Sequence, residues 1–270
     1  MSEASAIAQT ERPATVRTLV TDLHELGVTQ GSLIIVHSSL SRLGWVVGGA
    51  QAVVEALVEV VGPTGTIVMP SQSSSISDPA EWSNPPVPPE WMETIRNAMP
   101  VYDPALSPTT GMGAVVDCFL HHPLTVRSAH PTVSFAANGP LADEITRNHS
   151  LTPGLGAGSP IERLYDLDAT VVLLGIDHAN NTSLHLAEYR ATWAGKTQTS
   201  VGVPLIVDGH RQWATYDDLE LDEGDFAVIG EAFAATGHER LSIIGAGRGR
   251  LCSMRAIVDF ATDWMTVNRA

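Results

Sequence analysis

Residues 33–69 read LIIVHSSLSRLGWVVGGAQAVVEALVEVVGPTGTIVM. Leu33 to Val36 is an unbroken apolar run and predicts a buried strand. After the loop His37 to Gly48, apolar Val53, Val54, Leu57, Val58 and Val61 recur at helical spacing, and Gly62 marks the helix end. Thr66 to Met69 predicts a second strand. A strand, loop, helix and strand in succession signify a layered α/β domain.

The same signals extend outward. Val16, Leu19, Val20, Leu23 and Leu26 fall at helical spacing, with Pro13 suited to a first turn and Gly27 to the C-cap, so a helix is expected over Pro13 to Leu26. Downstream the pattern breaks: residues 79–108 hold eight of the seventeen prolines, with Trp82, Trp91 and Tyr102. Proline removes ladder donors, so this stretch is no regular sheet. Its aromatic residues argue for an ordered excursion, either one wall of a cleft or a packed surface insertion. A helix begun near Met112 ends at His121-His122, which suit the negative end of its dipole without a metal.

Thr170 to Ile176 predicts an apolar strand, followed by the loop Asp177 to Asn181 and a helix from Thr182 to about Trp193. Asp208-Gly209, between Val203 to Val207 and Gln212 to Tyr216, is a two-residue hairpin signal. A helix over Phe226 to Ala235 follows. Short strands at Leu241 to Ile244 and Arg250 to Cys252 flank the glycine cluster 245–249, which reads as a hairpin rather than a cofactor fingerprint. Met254 to Val267 is the last expected helix. The fold class is α/β: a single domain with a mixed central sheet covered by helices, a long Pro-rich excursion and a C-terminal α+β part. It spans residues 1–270, with an ordered core at about 13–268.

Composition narrows the functions. With 44% hydrophobic and 17% charged residues, the 270-residue chain can bury a sizeable core. Cys118 and Cys252 are too few for a disulfide framework and lack metal-ligand spacing, so a reducing cytoplasm is the expected setting. The formal charge is −15, and Lys196 is the only lysine among fifteen basic residues. Such a surface repels phosphate backbones and argues against nucleic acid as a partner. No apolar run reaches the ~18 to 20 residues that span a bilayer, and Met1 to Thr10 has no apolar signal-peptide segment.

Three segments could carry chemistry, and each has a plain structural alternative. His37, Ser38, Ser39, Leu40, Ser41 and Arg42 follow a strand and precede a helix, where backbone amides, hydroxyls and a guanidinium bind anions; the alternative is a serine-rich turn. The segment lacks the pattern of a nucleotide-hydrolysing phosphate loop. His185 and Glu188 lie three apart on one helical face, just past an apolar strand. A carboxylate there holds one histidine tautomer and raises its basicity, unless the pair is only a solvated face. Arg127, Ser128 and His130 could meet an anion or carbonyl, or form a strand terminus with a satisfied histidine. The run Asp217, Asp218, Glu220, Asp222, Glu223 and Asp225, with Glu231 beyond, is either solvated or a device that concentrates a polycation. No Gly-x-Ser-x-Gly elbow is present.

VHSSLSRLG (36–44), GTIVMP (65–70), RSAHPTVSFAANG (127–139), GSP (158–160) and TSLHLAE (182–188) occur in this order. Together they resemble the aminoglycoside 3-N-acetyltransferase family, over about Thr15 to Trp264. The resemblance implies an antibiotic N-acetyltransferase domain that uses acetyl-CoA as cosubstrate, needs no metal, and acts on an aminoglycoside or other polyamine-like small molecule. It implies that His37 to Arg42 hold the CoA pyrophosphate and that Arg127 and Ser128 belong to the cofactor side of the cleft. His185 matches the catalytic histidine and Glu188 the acidic residue of the same motif; Glu231 is a further candidate partner of His185. Asp217, Asp218 and Glu223 are candidates for binding substrate amines. The implied chemistry is direct transfer in a ternary complex, with His185 removing the amine proton, a role worth ~10²–10⁴-fold. Other expectations are a monomer or homodimer and no membrane. The alternatives are an acetyltransferase of a non-aminoglycoside amine and a non-catalytic CoA- or polyamine-binding module.

Overall fold

Ile34 and Val36 pack into one hydrophobic cluster while Ile35, between them, packs into another. The same alternation separates Ile67 and Met69 from Val68, and Val172 and Leu174 from Val171 and Leu173. Strand side chains alternate in direction, so each strand supplies both faces of a sheet buried on both sides. Each such fully buried aliphatic side chain contributes ~1.5–3 kcal/mol relative to exposure.

The computed structural model describes residues 3–269. In chain order its elements are α1 (Glu3–Gln9), α2 (Val16–Leu26), β1 (Leu33–Ser38), α3 (Gly49–Val61) and β2 (Thr66–Pro70). There follow α4 (Met92–Ala98), α5 (Ala114–Leu120), β3 (Val126–Arg127), β4 (Phe135–Asn138), α6 (Ala142–Thr146) and α7 (Pro160–Asp166). The C-terminal part comprises β5 (Thr170–Leu174), α8 (Ser183–Arg190), β6 (Gln198–Val207), β7 (His210–Leu219) and α9 (Phe226–Ala234), then β8 (Arg240–Ile244), β9 (Gly247–Ser253) and α10 (Met254–Asn268). One sheet runs β3-β4-β2-β1-β5-β9-β8, and β6 and β7 form a separate hairpin. β1 pairs in parallel with β2 and β5; the other pairings are antiparallel. The fold is therefore the expected mixed α/β sheet, with α2, α3 and α5 on one face and α7, α8 and α10 on the other.

Several boundaries differ from expectation. The second helix starts at Val16, not Pro13, because Thr15 and Thr18 form a reciprocal capping box; Gly27 ends it in the left-handed region at φ 117°. The helix expected to start near Met112 begins at Ala114. That expected over 182–193 stops at Arg190, where Lys196 Nζ donates to the carbonyls of Tyr189 (2.9 Å) and Ala191 (2.8 Å). These bonds satisfy carbonyls that lack helical partners and replace further helix. The 208–209 hairpin is twice the expected length, with full pairing from Gln198↔Leu219 to Val207↔His210.

The Pro-rich excursion is held by three arginines. Arg96 pairs with Asp78 at 2.6 Å. Arg211, on β7, donates to Arg96 O and Met99 O at the end of α4. Arg127, on β3, donates to the carbonyls of Ser107 (2.6 Å) and Ser71 (2.5 Å) and lies over the Tyr102 ring. Trp91 is 57% exposed, so the aromatic residues are not uniformly sheltered. Among the described residues no helix is long and apolar enough to cross a membrane.

Candidate active site

The carboxyl ends of β1 and β5 lie side by side, with His37 opposite Leu173 and Ser38 opposite Leu174. From β1 the chain crosses through α3 to β2 on one flank, while β5 lies on the other. Loops at such a branching of parallel strands splay apart and leave a crevice. Here the crevice is about 730 Å³, and its lining includes His37, Ser39, Arg42, Trp45, Met112 and Thr182. Ser38, Leu40 and Ser41 line it as well, so the whole predicted anion-binding loop faces this cleft. Ser39 N–H is anchored on Leu174 O at 2.9 Å, and residues 40–42 turn in a short 3-10 helix. Arg42 is exposed and has no ion pair among the described residues.

Two buried histidines set the start of α8. Thr182 N–H donates to His37 Nε2 at 3.1 Å. An N–H can only donate, so His37 Nε2 bears a lone pair and the proton of the neutral ring sits on Nδ1. That Nδ1 has no partner. Burial, then the neighbouring His178 and His185, push the His37 pKa down to about 3. His178 donates from Nε2 to Glu239 at 2.7 Å and accepts from Asn181 Nδ2 at 3.1 Å; Asn181 Oδ1 in turn accepts Ser183 N–H. Both first amides of α8 are thus tied to side chains beneath them, which fixes where the helix points.

One turn into α8, His185 Nδ1 lies 2.6 Å from Glu188 Oε2. The carboxylate accepts, so Nδ1 holds the proton and Nε2 is left with the lone pair. The Glu188 side chain is fully buried. Its other oxygen accepts Asp222 N–H at 2.8 Å and Arg269 Nη1 at 2.7 Å. Arg269 also donates to both oxygens of Asp225 and to Asp222 O. Burial alone would lower the Arg269 pKa, but its bonds to Asp225 and Glu188 raise it above its ordinary value. The Phe226 ring packs against the His185 ring, with centroids 5.0 Å apart. A buried carboxylate held by a guanidinium and a backbone amide cannot rotate away from the imidazole.

Other predicted site residues sit elsewhere. Glu231 is exposed on α9, and the carboxylate on His185 is that of Glu188, not Glu231. Arg127 and Ser128 do not line the cleft: Arg127 ties the excursion to the sheet, and Ser128 is buried between His149 Nδ1 and Phe135 N–H, each at 2.9 Å. His130 accepts the amides of Thr132 and Val133 and donates to Leu151 O, the satisfied structural alternative. Asp218 accepts Tyr189 OH (2.8 Å) and Gly154 N–H (2.9 Å), so its carboxylate is a pin within the fold. Asp217 and Glu223 are exposed. The Pro-rich residues 79–108 do not line the cleft, whose wall is made by 111–116 instead. Sequence reasoning missed His178, Glu239 and Arg269. A DHANN run directly after an apolar strand was a usable signal for His178; nothing local marked Arg269.

A parallel sheet that branches at a crevice, a loop of hydroxyls and a guanidinium lining it, and a buried histidine–carboxylate pair on the helix that starts at its edge together define the architecture of an α/β enzyme. Residues 35–266 match the family model for aminoglycoside 3-N-acetyltransferase. The chain is 44% identical to the SPbeta prophage-derived aminoglycoside N(3')-acetyltransferase-like protein YokD of Bacillus subtilis (strain 168), over 97% of this chain and 96% of that one. The YokD crystal structure superposes with a TM-score of 0.95 over 98% of both chains. Aminoglycoside N(3)-acetyltransferase VIII of Streptomyces fradiae is 34% identical over 98% of this chain and 96% of its own. Two liganded structures are also similar. AAC-IIIb in binary complex with CoASH has a TM-score of 0.83 at 32% identity, covering 94% of this chain and 97% of that one. Sisomicin-bound AAC-VIa has a TM-score of 0.85 at 30% identity, covering 96% and 100%. The chain belongs to the aminoglycoside 3-N-acetyltransferase family, a family of acyltransferases.

Proposed function

We propose that this protein transfers an acetyl group from acetyl-CoA to the 3-amino group of an aminoglycoside, directly and within a ternary complex. The observation that carries this reading is the His185–Glu188 contact, in which a fully buried carboxylate holds Nδ1–H and leaves Nε2 as a proton acceptor. An amine is mostly protonated near neutral pH and cannot attack a carbonyl until it loses a proton. His185 Nε2 takes that proton, Glu188 keeps the ring oriented and stabilises the imidazolium, and Arg269 with Asp222 N–H keeps Glu188 in place.

The cleft suits an acetyl-CoA cosubstrate. Its loop offers the exposed Arg42 and the hydroxyls of Ser39 and Ser41, 3.4 Å apart, to a diphosphate. The His37 ring lines the same cleft and holds Thr182 N–H, at the start of α8, on its Nε2. Acetyl-CoA, when bound, supplies the activated acetyl group, so no enzyme nucleophile is needed; burial pushes the Cys252 thiol far up, away from thiolate chemistry. The similar structures that hold CoASH and sisomicin support the donor and the acceptor class. The acidic segment 217–225 runs beside the dyad, since Asp222 N–H bonds Glu188, and exposed Asp217 and Glu223 remain available to ammonium groups.

The test is thiol release by the purified protein with gentamicin, apramycin and a simple diamine, alongside His185→Ala. We expect turnover with an aminoglycoside, and a loss of ~10²-fold or more in kcat for the variant with little change in acetyl-CoA Kd. Near-normal turnover by His185→Ala would exclude His185 as the base. Release with the diamine alone would point to a different amine as acceptor.

A further inference from the structure

Beside the main cleft lies a smaller one of about 300 Å³ that shares Arg42 and Ile176 with it. It is lined by three guanidinium groups: Arg42 from the loop after β1, and Arg248 and Arg250 from β9. The chain has only fifteen basic residues against a net charge of −15, so three at one small cleft is a strong local reversal of sign. Arg250 Nη1 is paired with Glu239 at 2.6 Å. Arg42 and Arg248 are exposed and have neither an ion pair nor a side-chain hydrogen bond among the described residues. Asp177 is the one carboxylate in the lining, and its Oδ1 accepts Ala179 N–H.

The backbone brings these groups together by design of sequence. A Cβ on Gly247 would lie 2.3 Å from Arg42 O, and one on Gly175 would lie 2.9 Å from Arg42 Cβ. Only glycine lets the β8–β9 turn and the end of β5 close against the Arg42 loop. Ala246 N–H donates to Leu43 O at 2.9 Å and Gly175 N–H to Arg248 O at 2.8 Å, locking the three segments together. The glycine cluster that reads as a plain hairpin in sequence is therefore one wall of a basic cleft.

We infer that this cleft is a subsite for a phosphomonoester dianion, namely the 3'-phosphate of the CoA moiety. The inference rests on the acetyl-CoA reading above. A phosphomonoester carries about −1.5 to −2 charges near pH 7 and three acceptor oxygens, which match guanidinium forks. In CoA the 3'-phosphate and the diphosphate are attached to one ribose. Two anions on one sugar call for two neighbouring anion sites, and Arg42 stands between the two clefts here. Of the two arginines confined to the smaller cleft, Arg248 is the one without an ion pair, since Arg250 is held by Glu239.

Isothermal titration of the intact protein with CoA and with dephospho-CoA tests this without any turnover. The wild-type protein is expected to bind CoA ~10-fold or more tightly than dephospho-CoA, the scale of one or two hydrogen bonds between charged groups. Arg248→Gln should remove most of that preference by weakening CoA and leaving dephospho-CoA unchanged. Arg248 is exposed and unpaired, so the variant should melt like the wild type. Equal wild-type affinity for the two ligands overturns the subsite while the donor reading stands. A loss in Arg248→Gln that is the same for both ligands also overturns it. If neither ligand binds, the donor reading falls and the subsite falls with it.

Discussion

Arg269→Met removes one guanidinium and keeps most of its apolar stem. Among the described residues that guanidinium is the only Lys or Arg group paired with Glu188, whose side chain is fully buried, and the Arg269 side chain is only 9% exposed. Breaking a buried pair from one side costs ~3–5 kcal/mol, because a charge is left without its partner. The lower end applies here: Glu188 keeps Asp222 N–H and the His185 ring, and Asp225, 23% exposed, can turn to water. A loss of ~3 kcal/mol corresponds to a Tm fall of roughly 6–12 °C for a chain of this size. Glu188→Gln combined with Arg269→Met should recover part of the loss, since no buried charge is then orphaned. The kinetic consequence has a definite sign. With its guanidinium gone, Glu188 is held by Asp222 N–H alone and orients the His185 ring less firmly, so kcat should fall while the acetyl-CoA Kd changes little. Calorimetric melting and steady-state kinetics on the same protein check both. A variant that melts within about 2 °C of wild type and keeps the wild-type kcat would refute the reasoning.

Acid should destabilise the fold through His37. Burial and two neighbouring histidines lower its folded pKa to about 3 from an ordinary 6.5, so the unfolded chain binds the extra proton between those values. Its contribution is full above about pH 6.5 and is lost as pH falls towards 3; at pH 5 the loss is about 2 kcal/mol. His149, also lowered to about 3, adds in the same direction, and urea midpoints at pH 7 and 5 measure the sum. A His37→Asn variant that keeps the full acid sensitivity would remove His37 from this account. Because the acidic segment flanks the dyad, kcat/KM for a polycationic acceptor should fall with added salt, exposed charges being screened over ~10 Å at 0.1 M. A flat response would make Asp217 and Glu223 mere solvated charges. Ser39→Ala with Ser41→Ala should raise the KM for acetyl-CoA more than that for the acceptor; an unchanged KM would detach the loop from the donor.

Local regularity made much of the fold legible. The apolar runs at 34–36, 67–69 and 171–174 are strands in which every residue is buried on one face or the other, although the strand expected to reach Ile176 ends at Leu174, and helix ends followed glycine and threonine. His185 and Glu188 were legible for the same reason, being one helical turn apart. What could not be read are contacts that the chain closes over long distances: Thr182 and His37 are separated by 145 positions, Arg269 and Glu188 by 81. Arg127 illustrates the converse. Its neighbours Ser128 and His130 gave it the look of a binding segment, yet its donors are consumed by Ser71, Ser73, Ser107 and Ser134. Sequence shows which side chains could meet an anion, but only the packed structure shows which are already taken.

Lys196 closes the carboxyl end of the helix that carries His185, and no other lysine exists in the chain. Amine-directed reagents therefore find one side-chain target, and that target is structural. Apart from the α-amine of the chain terminus, succinimidyl or aldehyde coupling has a single side chain to modify, and its modification reports the integrity of one helix end. Immobilisation through that side chain would hold the molecule with the end of α8 towards the support.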